Sequence, residues 1–377
     1  MKKHRMLHCL LIDIVCAGAA LVVFALFHHV LPRQQQSMAI VISNPAQTVS
    51  ADREEETQAT VTAAQVASTA KSDAPASSSK SSAGSGRQNS RGRGNSGGGM
   101  NSKGGSALTG DESTAAAGTD STPISEKFAD QYTDTVVITE NSYTSPDLSV
   151  TVTEETLGNI RYYLADIYVR DITCFRSALA QNTYGSGFRD SIEDMAVLNR
   201  ALLAVNGDYY GNTTEGVVIR NGVIYRANPT DCDVCVLYYD GTMRVMPGAS
   251  FSVEEAIAQG AWQAWTFGPA LLDTDGSVLT SFASTGRIIS ANPRTAIGYY
   301  EPGHYCLVVV DGRGESAGIT LPDLSRLFSD LGCTAAYNLD GGNSSVMVWN
   351  DEVINNPSGG GRESSDALLI VEAKAYE

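Results

Sequence analysis

Histidine is nearly missing from this chain. Of five in 377 residues, four fall within the first 29 positions, and His304 is alone in everything that follows. That argues against a Ser-His-Asp hydrolase and leaves carboxylates as the acid and base groups. Cysteine is sparse as well. Cys9 and Cys16 sit in an apolar N-terminal stretch, and the remaining five (Cys174, Cys232, Cys235, Cys306 and Cys333) are odd in number, which excludes a complete disulfide framework. Cys232 and Cys235 form one C-x-x-C pair that could close a local disulfide, but no second pair completes a zinc site. Cys306, inside an apolar run, and Cys333, just after a helical pattern, read as buried free thiols. Basic charge is the third shortage. From Gln131 onward 14 Lys and Arg face 31 Asp and Glu, so nearly all of the net −16 lies there. Such a surface repels phosphate backbones and excludes general nucleic-acid binding, while a small phosphate-bearing substrate would need local arginines to hold it.

Residues 7–31 are 25 mostly apolar positions, long enough to cross a bilayer core of roughly 30 Å. Lys2, Lys3 and Arg5 precede them, so the positive-inside rule predicts a cytoplasmic tip, an uncleaved single-pass anchor and an extracellular remainder. Residues 32–130 are rich in Ser, Ala, Thr and Gly, too poor in apolar surface to offset ordering entropy, and are predicted to be a disordered linker. From Gln131 short apolar runs alternate with turn signals. Asn221-Gly222 and Asp240-Gly241 mark hairpins, since both residue types tolerate positive φ. The clearest helix spans residues 321–331, with Leu321, Leu324, Leu327, Phe328 and Leu331 on one face, Thr320 and Asp323 as a capping pair and Gly332 beyond. Segments 253–260 and 191–202 are further helix candidates. Strands outnumber helices without alternating with them. The expectation is an α+β class: one globular domain with a large mixed sheet, an N-terminal part at 131–203 and a chemistry-bearing part at 204–377.

Four segments put polar residues directly after apolar runs: AVNGDYYG (204–211), NPRTAIG (292–298), VVVDGRGESAG (308–318) and YNLDGGNSS (337–345). Each Asp-Gly by itself is an ordinary turn. YNLDGGNSS exceeds what a turn needs, because two glycines and two serines follow the aspartate, and glycine lets a backbone approach a ligand closely. The candidate acid/base carboxylates are Asp208, Asp311 and Asp340, with Glu215 a weaker one. Arg294 and Arg313 are the candidate phosphate-holding groups, because guanidinium binds such oxygens bidentately. Paired carboxylates suit glycosidic cleavage. Two other readings stand beside it. One is a non-catalytic polysaccharide-binding module using Tyr209, Tyr210, Trp262 and Trp265 as platforms; the other is a phosphodiesterase with a divalent cation on Asp208, Asp311 and Asp340.

The set Asn206 to Tyr210, Gly216 to Gly222, Phe267-Gly268-Pro269, Arg294 to Gly298, Asp311-Gly312-Arg313 and Asn338 to Ser345 resembles the phosphodiester glycosidase family. The resemblance spans roughly residues 204–372. It departs where the family often has Asn-Gly-Gly-Tyr-Phe and this chain has Asp208 and Tyr210, and where a third glycine is replaced by Asn343. The resemblance implies hydrolysis of a sugar-1-phosphodiester to free sugar and a phosphomonoester. It places Asp340, Asp311 and Arg294 at the catalytic centre, and Asn206, Asp208, Glu215, Thr295, Arg313, Gly341, Gly342, Ser344 and Ser345 around the substrate. No cofactor is fixed by these residues, with a divalent cation left open; the partner implied is the sugar-phosphodiester or polysaccharide, while the N-terminal apolar segment predicts the membrane as a second partner.

Overall fold

The computed structural model describes residues 33–34, 40–44 and 122–373. The expected anchor and most of the expected linker lie outside these residues. Among the described residues no helix is long and apolar enough to cross a membrane.

Three sheets share one core. The largest has seven strands in the order Ala335–Asn338, Arg294–Glu301, His304–Val310, Ile160–Val169, Leu148–Leu157, Ser142–Thr144 and Val137–Ile138. A five-stranded sheet runs Glu352–Val353, Met347–Trp349, Leu203–Asn206, Asp366–Ile370 and Phe175–Leu179. A six-stranded sheet runs Met243–Met246, Val234–Tyr238, Ala261–Thr266, Val217–Arg220, Val223–Ala227 and Ile40–Val41. These pairings are antiparallel throughout, which corrects the expectation of one large mixed sheet. The reason is connection length. Parallel neighbours need a crossover of a dozen residues or more, whereas many strands here join by tight turns. At Asn221-Gly222 both φ values are positive, 52° and 74°, as the hairpin reading requires.

Three pieces of the expected linker belong to the fold, the first being Arg33–Gln34, which pairs with Gly185–Ser186. Ile40–Val41 pairs with Val223 and Ile224 at the edge of the six-stranded sheet, and Ile42 is buried. Residues 122–130 pack as turns, with Lys127 buried and bonded to Glu301 at 2.9 Å.

Period-two burial builds the core. In Ile160–Val169 the side chains of Tyr163, Ala165, Ile167 and Val169 are buried on one face. They meet Leu203, Val205, Leu368 and Ile370 of the five-stranded sheet, and Leu237 and Trp265 of the six-stranded one. Each sheet carries a helix. Leu321–Asp330 lays Leu321, Leu324, Leu327 and Phe328 against Ala296, Cys306 and Val308; the Thr320 hydroxyl caps it by accepting from the Asp323 N–H at 3.2 Å. Ile192–Leu198 covers Ala204, Val348 and Leu369, and Val253–Ala258 covers the six-stranded sheet. The functional consequence is at the strand ends, where Asn206, Arg220, Thr266, Thr295, Asn338 and Asp366 converge on neighbouring loops.

Candidate active site

The loop after Ala335–Asn338 carries Asp340. Its Oδ1 accepts the Gly341 N–H at 2.9 Å, and its Oδ2 accepts from the Ser344 hydroxyl at 2.8 Å and from Arg362 Nη2 at 2.7 Å. Arg362 also donates through Nε to Ser344 Oγ at 3.0 Å and lies over the Tyr209 ring, 5.9 Å from its centroid. The Asp340 side chain is 15% exposed, that of Arg362 46%. Burial raises the Asp340 pKa above the ordinary carboxylate value, against the pull of Ser344 and Arg362. A partly shielded carboxylate with a serine and an arginine on one oxygen is equipped to act as base or nucleophile beside an anion.

Asn206 fixes this loop from below. Its Nδ2 donates to the Asp340 carbonyl at 2.7 Å, while its Oδ1 accepts the Thr295 hydroxyl at 2.6 Å. Both residues are fully buried strand-end positions, so the sheet itself sets where Asp340 stands. Gly341 has no room for a side chain, since a Cβ there would come within 2.8 Å of the Pro293 carbonyl. Gly342 has φ 69°, and a Cβ would meet the Arg313 guanidinium at 3.1 Å. Arg313 thus lies flat over the loop, bonded to Asn343 Oδ1 at 3.0 Å and Asn292 Oδ1 at 2.8 Å, with its side chain exposed. Ser344 and Ser345 are buried, and Ser345 Oγ has no hydrogen-bond partner.

Behind the loop lies a second carboxylate group. Arg220 is fully buried with Asp208 Oδ1 at 3.0 Å and Asp366 Oδ2 at 2.8 Å from its Nη2. Asp208 also accepts the Thr266 N–H at 2.9 Å and the Tyr210 N–H at 3.1 Å. Burial pushes Asp366 up to about 8, against Arg220 and with Asp208 adding to the rise. Burial opposes the Arg220 charge, yet the two carboxylates hold its pKa above the ordinary value. Asp208 is therefore committed to an internal ion pair. Gly207 lies directly on Asp366: a Cβ would be 2.4 Å from its carboxylate atoms. Gly207 also accepts the Asp340 N–H at 3.3 Å. Gly207→Ala is accordingly expected to lower stability by roughly 1–3 kcal/mol and to displace Asp340, to be read as a lower melting temperature together with reduced turnover.

The other expected site residues fall elsewhere. Arg294 makes its contacts on another segment. Its guanidinium is buried and donates to the carbonyls of Ile319 at 3.3 Å, Ser290 at 2.7 Å and Ile288. Burial lowers its pKa to about 10, Arg313 adding to the effect. Strand alternation explains it: Thr295 faces Asn206, so its neighbour Arg294 faces the opposite side and braces the 286–290 segment. Asp311 is likewise structural in its contacts, accepting from Asn355 Nδ2 at 2.9 Å and the Asn356 N–H at 3.1 Å, and burial raises its pKa. Asn355 in turn donates to the Ser345 carbonyl at 3.1 Å. Glu215 is exposed on a loop that Arg226 holds through the Thr213 carbonyl at 2.6 Å. Cys232 and Cys235 are free, one exposed and one buried. Sequence reasoning missed Arg362, which follows a glycine run and precedes an apolar strand with nothing local to distinguish it.

Among the described residues no group of three His, Cys, Asp or Glu side chains is arranged to hold a metal ion. Asp208, Asp311 and Asp340 answer to Arg220, Asn355 and Arg362 respectively. Of the four aromatics considered as sugar platforms, Tyr210, Trp262 and Trp265 are buried, and only Tyr209, at 39%, is exposed.

Residues 199–371, a little under half of the chain, match the family model for phosphodiester glycosidase, the family that the sequence motifs resemble. The chain is 30% identical over 292 residues to the SPbeta prophage-derived uncharacterized protein YomE of Bacillus subtilis, covering 70% of this chain and 44% of that protein. Over 78 residues it is 37% identical to N-acetylglucosamine-1-phosphodiester alpha-N-acetylglucosaminidase of Bos taurus, covering 21% of this chain and 14% of the relative. It thus spans less than half the length of either. Among solved structures, the auto-inhibited catalytic domain of the zebrafish N-acetylglucosamine-1-phosphodiester alpha-N-acetylglucosaminidase is similar at 20% identity and TM-score 0.49, over 60% of this chain and 83% of that one. A hypothetical protein from Synechocystis is similar at 14% identity and TM-score 0.42, over 60% and 62%.

Proposed function

We propose that this protein hydrolyses the glycosidic bond of a sugar-1-phosphodiester, releasing free sugar and a phosphomonoester. The observation that carries this reading is the Asp340 carboxylate held by Ser344 and Arg362 in a glycine loop, inside the segment that matches the phosphodiester glycosidase family model. A phosphomonoester leaves readily, so the demand on a general acid is small and the demand on charge stabilisation is large. In this reading Asp340 is the nucleophile or base at the anomeric carbon. Arg362 and Arg313 neutralise phosphate oxygens, Gly341, Gly342 and Ser344 shape the loop, and Asn206 and Thr295 keep it in place. Asp311 acts through Asn355 on Ser345, and Glu215 is left to meet the sugar or its aglycone. The N-terminal apolar segment would hold the domain outside the membrane, with cell-surface or exopolysaccharide material as its substrate.

The test is to incubate the protein with a panel of sugar-1-phosphodiesters, with and without chelator, and to follow the products by phosphorus NMR. Free sugar and a phosphomonoester support the proposal. A sugar phosphate with a free alcohol would move the cut to phosphorus and sink it.

The pH profile gives a second check. Asp340 must be ionised to act, so activity rises as pH passes its raised pKa, and the acidic limb of kcat/KM lies above the ordinary carboxylate range. Arg362 lowers that pKa. Arg362→Ala is therefore expected to move the limb to higher pH and to lower kcat by roughly 10²–10³-fold, the loss typical of one charge-stabilising donor. An unshifted limb would separate Arg362 from Asp340.

A further inference from the structure

Two cysteines that the proposed chemistry does not use lie side by side. Cys306 belongs to the strand His304–Val310, and Cys333 follows the helix Leu321–Asp330, its N–H donating to the Phe328 carbonyl at 3.0 Å. Both are buried and their Sγ atoms are 3.7 Å apart. They share the space above Gly298, which pairs with Cys306 on one side and Ala336 on the other. A Cβ at position 298 would stand 2.6 Å from Cys306 Sγ and 2.8 Å from Cys333 Sγ. Glycine here is what lets the two sulfurs converge from different elements. From this contact the sulfurs must close to the S–S bond length of about 2.05 Å for a disulfide to form.

We propose that Cys306 and Cys333 are a disulfide-forming site, oxidised by a low-molecular-weight disulfide through thiol–disulfide exchange. One cysteine, as thiolate, attacks a sulfur of the disulfide RSSR, forming a mixed disulfide and expelling one RS⁻. The second thiolate displaces the remaining group. Two protein thiols are oxidised, one RSSR is reduced, and two RSH leave carrying both protons. Cys333 is the better first nucleophile. It is 5% exposed against 0% for Cys306, whose thiol burial pushes well above its ordinary pKa.

The bond would close a ring spanning 27 sequence positions. That ring contains Asp311, Arg313 and the whole helix Leu321–Asp330, so oxidation would tie the Arg313-bearing loop to the sheet. Restricting the unfolded chain over such a loop stabilises the folded state.

The experiment uses the full-length protein, refolded from denaturant in oxidised or in reduced glutathione so that the exchange reaches both thiols. Samples are acid-quenched, alkylated under denaturing conditions, digested and analysed by mass spectrometry, with thermal unfolding in parallel. The expected result is a Cys306–Cys333 cross-linked peptide in the oxidised sample and a melting temperature roughly 5–15 °C above the reduced one. Cys333→Ser is expected to abolish both differences while melting close to the reduced wild type. Alkylation of both cysteines after oxidised refolding would overturn the proposal. So would a cross-link from Cys333 to Cys232, or a glutathione adduct persisting on Cys333. The mass reading on the wild type decides the question even where the serine variant folds poorly.

Discussion

Asp340→Asn is expected to lower turnover of a sugar-1-phosphodiester by roughly 10³–10⁴-fold without lowering the melting temperature. The amide keeps the size of the carboxylate, and its oxygen can still accept from Ser344 and Arg362. It cannot add to an anomeric carbon or take a proton from water. Burial already disfavours the Asp340 charge, so a neutral side chain removes a desolvation penalty while losing one ionic partner. Stability should therefore hold or rise as activity collapses. Phosphomonoester release followed by phosphorus NMR, alongside a thermal melt, gives both readings. A variant with more than a tenth of wild-type turnover would remove Asp340 from the chemistry and with it the proposed function.

Arg220→Ala is expected to have the largest effect on stability. Among the described residues the guanidinium is the only cation bonded to Asp208 and Asp366, and all three groups are buried. Removing it leaves the Asp208 carboxylate beside the Asp366 carboxyl group in a low-dielectric interior without a cation, and breaking such a buried pair costs about 3–5 kcal/mol. At neutral pH the variant should be largely unfolded or aggregated, and acidification toward pH 5, which neutralises carboxylates, should recover part of the loss. The wild type carries a milder form of the same dependence. The folded-state pKa of Asp366 is raised from 3.8 to about 8, so the folded state binds a proton that the unfolded chain releases between those values. That stabilisation is complete below the unfolded pKa and fades as pH rises toward about 8. Melting temperature should consequently fall between about pH 5 and pH 8.5, and Asp366→Asn should flatten the slope. A wild-type melting temperature that rises over this range would contradict a protonated Asp366.

The parts of the fold that could be read from the chain are those fixed by local chemistry. The Asn221-Gly222 turn, the capped helix after Thr320 and the apolar runs ending in NLDGG depend on φ preference, side-chain capping and period, all present within a few residues. The strands Leu148–Leu157 and Ala261–Thr266 have weak local signals, because LSVTVTEETL turns polar halfway and AWQAWT shows no clean alternation of apolar and polar residues. Their burial depends on neighbours far away in sequence. Ile40–Val41 is a stronger case. Two residues inside a compositionally linker-like stretch join a sheet because Val223–Ala227 offers them an unpaired edge.

The site divides in the same way. The chain's composition pointed to carboxylates as the acid and base groups of a histidine-poor, acidic domain, and the DGGNSS run marked a candidate loop carrying Asp340 and Ser344. Type and spacing were enough because those residues act within one loop. The assembled fold set which charges pair with which. It turned Arg294 away through the pleat of its own strand and locked Asp208 onto Arg220 and Asp366. It also set Asp311 on the Asn355 segment and brought Arg362 to Asp340 across 22 residues. The direction of a charged side chain and the identity of its partner are settled by packing between distant strands, and no local pattern records them.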